Sequence, residues 1–209
     1  MQQQDYLIEQ ARLMDVSLSP AQAECLLSYL ALIAKWNRVH NLTALREPDK
    51  MLSHHILDSL SIQPYITARN LLDVGSGAGL PGIPLAIADP GRHITVMDSN
   101  TKKTSFLRQA VLELNLKNVD VIAGRIENLS ATHRFDGIVS RAFSDINQFV
   151  GMSMQVLEKG GRWYSMKGLL PEGELQQIPA GIEVLTIQPL NIPLLAAQRH
   201  LVIMKEADG

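Results

Sequence analysis

The sequence predicts an α/β fold: a mostly parallel sheet with an antiparallel edge strand and an N-terminal helical cap. Three observations predict it. From Asn70 onward, apolar runs of strand length alternate with amphipathic helical stretches, a grammar that implies parallel strands joined by crossovers with helices on both faces. Before Asn70 the apolar spacing is helical. Near the end, "GIEVLTIQPL" and "QRHLVIMKE" are strand-like runs with no convincing helix between them, which favours an antiparallel pair.

Taken in order, residues 5–66 read as helical. In "SLSPAQAECLLSYLALIAKWN", Ser19 can cap, Pro20 suits the first helical position and Gln22 completes a capping box. Leu26, Leu27, Leu30, Ile33 and Ala34 then mark one apolar face. A second helix signal, "EPDKMLSHHILDSLSI", starts at Pro48 and places Met51, Leu52, Ile56 and Leu60 on one side. The predicted strands are Asn70–Val74, His93–Asp98, Val119–Ala123, Phe135–Ser140 and Gly161–Lys167, with helices at Ile83–Ala88, Lys102–Asn115 and Ile146–Glu158. Residues 1–66 are expected to form the helical cap and 67–209 the α/β unit, built together as one compact body.

Composition narrows the class. A chain of 209 residues that is 46% hydrophobic can bury a full core. The opening "MQQQDYLIEQ" lacks the basic end and apolar stretch of a signal peptide. No apolar run approaches the roughly 20 residues a spanning helix needs. The single cysteine, Cys25, excludes an internal disulfide and a multi-cysteine metal site. A cytoplasmic monomer with no membrane partner is expected. The net charge of −2 argues against a partner held by bulk electrostatics and leaves only a local basic face for a polyanion.

The stretch "NLLDVGSGAGLPGIPLAIA" carries the chemistry. Gly75, Gly77, Gly79 and Gly82 follow the first predicted strand, and in such sheets ligands bind beyond the strands' carboxyl ends. A phosphate-binding P-loop would need Gly-Lys-Ser/Thr, and there is no Lys between Gly75 and Gly91. A dinucleotide fingerprint laid on Gly75 and Gly77 meets Leu80 at its sixth position instead of glycine. The spacing acid-x-G-x-G-x-G, with Asp73, Gly75, Gly77 and Gly79, fits without strain. That is the pattern of S-adenosylmethionine-dependent methyltransferases on a Rossmann-like fold. An acid at the end of the next strand should accept hydrogen bonds from ribose hydroxyls, and Asp98 stands there. Asp98 could equally cap the following helix.

At this point the chain resembles a known family. "WNRVHNLTALREP", "HHILDSLSI", "GAGLPGIPLAI", "MDSNTKKTSFLRQ", "GRIENL", "FDGIVSRAF" and "RHLVIMK" together are similar to ribosomal RNA small subunit methyltransferase G, formerly glucose-inhibited division protein B. The resemblance runs from about Trp36 to Lys205. It implies methylation of guanine N7 at position 527 of 16S ribosomal RNA, in the 530 loop, with S-adenosyl-L-methionine as cofactor. It also implies cofactor contacts from Gly75 and Leu80 in the glycine loop and from Ile126 and Glu127 around the adenine. Arg141 would stand beside the reactive end, binding cofactor and serving the catalytic step.

The residues agree with that chemistry by what they lack. Cytosine C5 methylation needs a cysteine nucleophile, and Cys25 lies in an N-terminal helix where packing is its expected role. Adenine N6 methylation uses Asp/Asn-Pro-Pro-Tyr after the fourth strand, where this chain reads "SRAF". His54 and His55, adjacent on a helix, make a poor metal pair. Guanine N7 carries an in-plane lone pair and no proton, so placement and water exclusion suffice. Arg141 could hold the methionine carboxylate, donate to guanine O6 or form a structural salt bridge. Phe143 could stack on an extruded base or pack in the core, and Trp36 is most simply a packing residue. An RNA face is expected from Lys102, Lys103, Arg141, Arg38 and Arg46. Two other classes compete. An NAD(P)-dependent oxidoreductase would share the strand, glycine turn and Asp98, whereas a non-catalytic RNA-binding assembly factor would not need the glycine loop intact.

Overall fold

The computed structural model describes residues 3–207 apart from 46, 142 and 144, and the side chains of 48 and 49 are likewise left undescribed. Arg46, expected on the RNA face, therefore lies outside the described residues. Helices α1 (Gln3–Arg12) and α2 (Pro20–His40) come first. A continuous helical segment then runs through α3 (Pro48–Met51), a π-helical stretch (Leu52–Leu57) and α4 (Asp58–Leu60). The expected capping box starts α2: Ser19 Oγ accepts from the Gln22 amide at 3.2 Å, and Gln22 Oε1 accepts from the Ser19 amide at 2.8 Å.

The strands β1 (Asn70–Val74), β2 (His93–Asp98), β3 (Val119–Ala123) and β4 (Phe135–Ser140) have the predicted bounds. Helices α5 (Gly82–Ala88) and α6 (Thr101–Glu113) lie between them, and α7 (Ile146–Ser153) follows β4. The remaining elements are β5 (Leu157–Lys167), α8 (Glu172–Leu175), β6 (Ile182–Pro189) and β7 (His200–Glu206).

Helices α5 and α6 differ from expectation by one or two residues at their ends, and two boundaries differ by more. Helix α7 ends at Ser153 rather than Glu158, and β5 begins at Leu157 rather than Gly161. The Gly160–Gly161 pair reads as a break in the sequence. In the sheet it is a bulge, because Leu157 already pairs with Phe135 before the register shifts to Gly137 opposite Arg162. Trp163 fixes this corner from inside: fully buried, its Nε1 donates to Ser153 Oγ at 2.9 Å.

The sheet order is β3-β2-β1-β4-β5-β7-β6. The pairs from β3 to β5 are parallel, and β7 runs antiparallel to both β5 and β6. The edge therefore holds the expected antiparallel pair, with β7 inside it and β6 outermost. Strand order reverses between β1 and β4, so the ligand position for this class of sheet lies beyond those ends.

Period-two alternation then assigns the faces. Leu72 and Val74 enter a cluster with Phe149 and Trp163 on one face, while Leu71 enters the larger cluster on the other with Leu26, Ile33 and Phe106. Asp73 shares the face of Leu71. Gln22 ties α2 to the sheet by a second use of its side chain, donating to Ile87 O at 3.1 Å and Ala88 O at 2.9 Å at the end of α5.

Candidate functional site

The four glycines divide into two pairs. At Gly79 (φ +86°) an added Cβ would lie 2.5 Å from Ile83 Cγ1 and 2.9 Å from both Leu107 Cδ2 and the Tyr29 hydroxyl. At Gly82 it would lie 2.8 Å from Asp73 Oδ2 and 2.6 Å from Val96 Cγ1. These two let α5 close on the sheet. Gly77 (φ +60°) is different, since nothing approaches its Cβ position closer than Lys103 Nζ at 3.9 Å. Its backbone is left-handed and bare, a surface a ligand can lie against. Gly75 also has positive φ (+70°), and its amide donates to Met97 O at 2.9 Å, stitching the loop to the end of β2. From the other side the buried Tyr29 of α2 donates its hydroxyl to Ala78 O.

The motif's acid does not face a ligand. Asp73 is fully buried, its Oδ2 accepts from the Gly82 amide at 2.8 Å, and its Oδ1 has no protein partner among the described residues. Burial pushes its carboxyl from 3.8 up to about 7, against the opposing pull of the Gly82 amide. A folded pKa raised above the unfolded one binds protons preferentially in the folded state, so this stabilisation is complete below pH 4 and lost as pH rises through 7. Asp73→Asn keeps an acceptor for Gly82 and removes the buried charge. The melting temperature of this variant, relative to the native chain, is expected to rise steadily between pH 5 and 8. A pH-independent difference in thermal unfolding would show that Asp73 does not titrate near neutrality.

Asp98 sits differently. It is 7% exposed, with Oδ2 accepting from the Gly77 amide at 2.9 Å and Oδ1 from the Asn100 amide at 2.8 Å. It does not cap α6. Asn100 does, accepting from the Lys102 and Lys103 amides. Each carboxylate oxygen keeps a second lone pair, and Asp98 lines a cavity of about 440 Å³ with Gly75, Ile126, Glu127 and Phe143. The chain's order explains this gathering: β1, β2 and β3 all end there. Ile126 and Phe143 make flat apolar walls, and Phe143 also packs on Phe149 at 5.4 Å between ring centroids.

Lys103, expected on an RNA face, lines this cavity instead, its Nζ 3.9 Å from Asp98 Oδ2. Gly77 and Leu80 are not among the lining residues. Gly77 reaches the site through its bond to Asp98, and Leu80 is buried, its amide bonded to Ser76 O at 2.9 Å.

Arg141 lies in a second cavity, of about 430 Å³, with His54, His55, Asp58, Lys167 and Arg199. Asp58 is 2% exposed and takes a guanidinium on each oxygen: Arg141 Nη1 at 2.9 Å on Oδ2 and Arg199 Nε at 2.8 Å on Oδ1. Arg141 Nη1 also donates to His54 O at 3.0 Å. His55, 3% exposed, has no protein partner at either ring nitrogen among the described residues, and burial, then Arg141, lowers its pKa to about 4, so the imidazole is neutral. Asp58 and Arg199 stand within "HHILDSLSI" and "RHLVIMK", two stretches that carry the resemblance, but neither is expected from sequence as a site residue. A broader depression of about 750 Å³ between Leu13 and residues 189–200 includes no residue of the glycine loop.

Trp36 and Cys25 take the packing places expected of them. Trp36 packs edge-on against Phe106 at 5.5 Å, and burial, then Glu24, raises the Cys25 thiol, which suits packing rather than attack. No group of three or more metal-ligating side chains occurs among the described residues.

The parallel sheet with its switch point at β1 and β4, a glycine turn after β1 and an acid at the end of β2 is the Rossmann-like α/β fold of S-adenosylmethionine-dependent methyltransferases. Solved structures share the fold. The glycopeptide N-methyltransferase MtfA with S-adenosylmethionine matches with a TM-score of 0.63 at 12% identity, over 73% of this chain and 95% of that one. TrmN from Thermus thermophilus matches at 0.58 and 15%, over 75% and 53%. The family model for rRNA small subunit methyltransferase G matches residues 22–202. Proteins of that name from Pseudomonas syringae pv. tomato and Neisseria gonorrhoeae are 49% and 47% identical, covering 93% and 92% of this chain and 92% and 93% of their own. The chain belongs to the rRNA small subunit methyltransferase G family and is an S-adenosylmethionine-dependent 16S rRNA methyltransferase. An oxidoreductase and a non-catalytic assembly factor are thereby set aside.

Proposed function

We propose that the chain methylates guanine N7 at position 527 of 16S rRNA, in the 530 loop, with the first cavity as its cofactor site. The observation that carries this reading is the cavity lined by both Asp98 and the left-handed Gly75, the glycine turn being tied to that acid through the Gly77 amide. Gly75 and Gly77 give clearance for the methionine end, with the buried Leu80 holding the turn's far side. Asp98 accepts from the ribose hydroxyls, and Ile126, Glu127 and Phe143 enclose the adenine. When bound, S-adenosylmethionine supplies a methyl group activated on sulfonium. The protein's part is to hold the acceptor in line and keep water out. Guanine N7 has no proton to lose, so no general base is required, and the neutral His55 and engaged Asp58 are not called upon as one. Arg141, which follows β4, lines the second cavity, held there by Asp58 and the His54 carbonyl.

In this reading residues 1–66 serve as a helical cap on the 67–209 catalytic unit, and the chain works as a cytoplasmic monomer on the small ribosomal subunit or its precursor. No described helix is long and apolar enough to cross a membrane. Transfer of labelled methyl to 16S RNA, followed by identification of the modified nucleoside, tests the activity; label on any atom but guanine N7 would refute it.

Lys103 belongs to the cofactor cavity, whereas Lys102 and Arg38 are exposed. Lys102→Glu is expected to weaken RNA binding and reduce the log–log salt slope by roughly one phosphate's worth, about 0.7–0.9, with cofactor affinity unchanged. Filter binding to 16S RNA across a salt series checks this, and an unaltered slope removes Lys102 from the interface.

A further inference from the structure

We propose that the second cavity receives the acceptor nucleotide and that Arg199, positioned by Asp58, holds a phosphate of the RNA backbone there. The proposal rests on the reading of the first cavity as the cofactor's.

Position comes first. The second cavity lies over the ends of β4, β5 and β7: Arg141 follows β4, Met166 and Lys167 end β5, and Arg199 precedes β7. Because β7 is antiparallel, its start falls on the same edge of the sheet as the ends of the others. The first cavity lies over β1, β2 and β3 along that edge. Two positions apart after β4, Arg141 lines the second cavity and Phe143 the first. Lys167 Nζ crosses the border to donate to Phe143 O at 3.2 Å.

Charge comes second. Arg141 and Arg199 share the single carboxylate of Asp58, and Lys167 is matched by Glu174 at 2.8 Å, so the cluster retains one positive charge. The bonds of both arginines to protein use Arg141 Nη1 and Arg199 Nε and Nη1. Among the described residues, Arg141 Nε and Nη2 and Arg199 Nη2 have no protein acceptor. The unpartnered, buried His55 stands at the same wall.

Ligand chemistry decides between base and phosphate. A guanidinium on guanine's Hoogsteen edge takes O6 and N7 together. That arrangement would occupy the very lone pair that must receive the methyl group. A phosphate has no such conflict, and its oxygens match the guanidinium fork. Leu45, His55 and Met166 are left as the wall for the base.

Arg199→Ala and Arg199→Lys, made in the full chain, separate the possibilities. Binding to 16S RNA is measured across a potassium chloride series, and S-adenosylmethionine binding by calorimetry. Arg199→Ala is expected to bind RNA about ten- to a hundredfold more weakly, with a slope shallower by about 0.7–0.9 and native cofactor affinity. Arg199→Lys keeps a charge for Asp58, so a folded variant is at hand whatever alanine does. It should keep the native slope and still lose affinity, since an ammonium cannot fork. Native RNA affinity in the lysine variant, or an unaltered slope in the alanine variant, overturns the proposal. So does loss of cofactor affinity alone, which would make the anion the methionine carboxylate. Cofactor binding by the native chain reports separately on the first cavity, so the two readings can fail independently.

Discussion

Replacing Gly79 by alanine is expected to lower the melting temperature by roughly 5–15 °C, the largest stability change of any single methyl group in the glycine loop. The new Cβ would sit 2.5 Å from Ile83 Cγ1 and 2.9 Å from Leu107 Cδ2 and the Tyr29 hydroxyl. Leu107 and Ile83 are fully buried, so neither can move aside without disturbing α5 or α6. Overpacking of this kind costs about 1–3 kcal/mol, and the left-handed backbone adds about 1–2 kcal/mol for any residue with a Cβ. Gly77→Ala is the control. It carries the same backbone penalty with open space around the methyl, so it should lose only about 1–2 kcal/mol. Thermal unfolding of the two variants without ligand decides the matter. Equal losses would mean that packing against α2, α5 and α6 does not explain Gly79.

Asp98→Ala is expected to have the largest effect on the cofactor, a fall in affinity of roughly a hundredfold or more. Two charge-assisted hydrogen bonds to ribose hydroxyls are lost, each worth about 1.5–3 kcal/mol. The variant also frees the Gly77 and Asn100 amides, which Asp98 holds at 2.9 and 2.8 Å. Without ligand the loss of stability should be smaller, because α6 keeps its own cap in Asn100. Calorimetric titration with S-adenosylmethionine and a melt of the ligand-free chain give both numbers. A dissociation constant within threefold of the native one would remove Asp98 from the cofactor site and leave it a loop anchor.

The case of Asp98 shows how far local sequence reaches. Its place at the end of a strand was legible from "HITVMDS" because a strand's period and its terminating polar residue are properties of six or seven neighbours. The same holds for the bounds of β1 to β4, and for the capping box, whose partners are three residues apart. The spacing of Gly75, Gly77 and Gly79 likewise announced a glycine turn, since positive φ is a local demand. What the spacing could not reveal is that Gly79 is closely packed while Gly77 stands open. That depends on Tyr29 and Leu107, which arrive from α2 and α6.

By itself the sequence determined the alternation of elements, the glycine turn and the acid opposite it, and through its resemblance the chemistry to expect. Only the tertiary structure decided that Asp58 stands between two arginines, one 83 and the other 141 positions away in the chain. It alone set Lys103 at the wall of a cavity beside Asp98 and began β5 at Leu157, ahead of two glycines. The physical reason is the range of the forces involved. Periodicity, caps and turn conformations are fixed by bonds within a few residues. Ion pairs, cavity walls and strand partners are chosen by whichever distant segments the packed sheet brings to one edge.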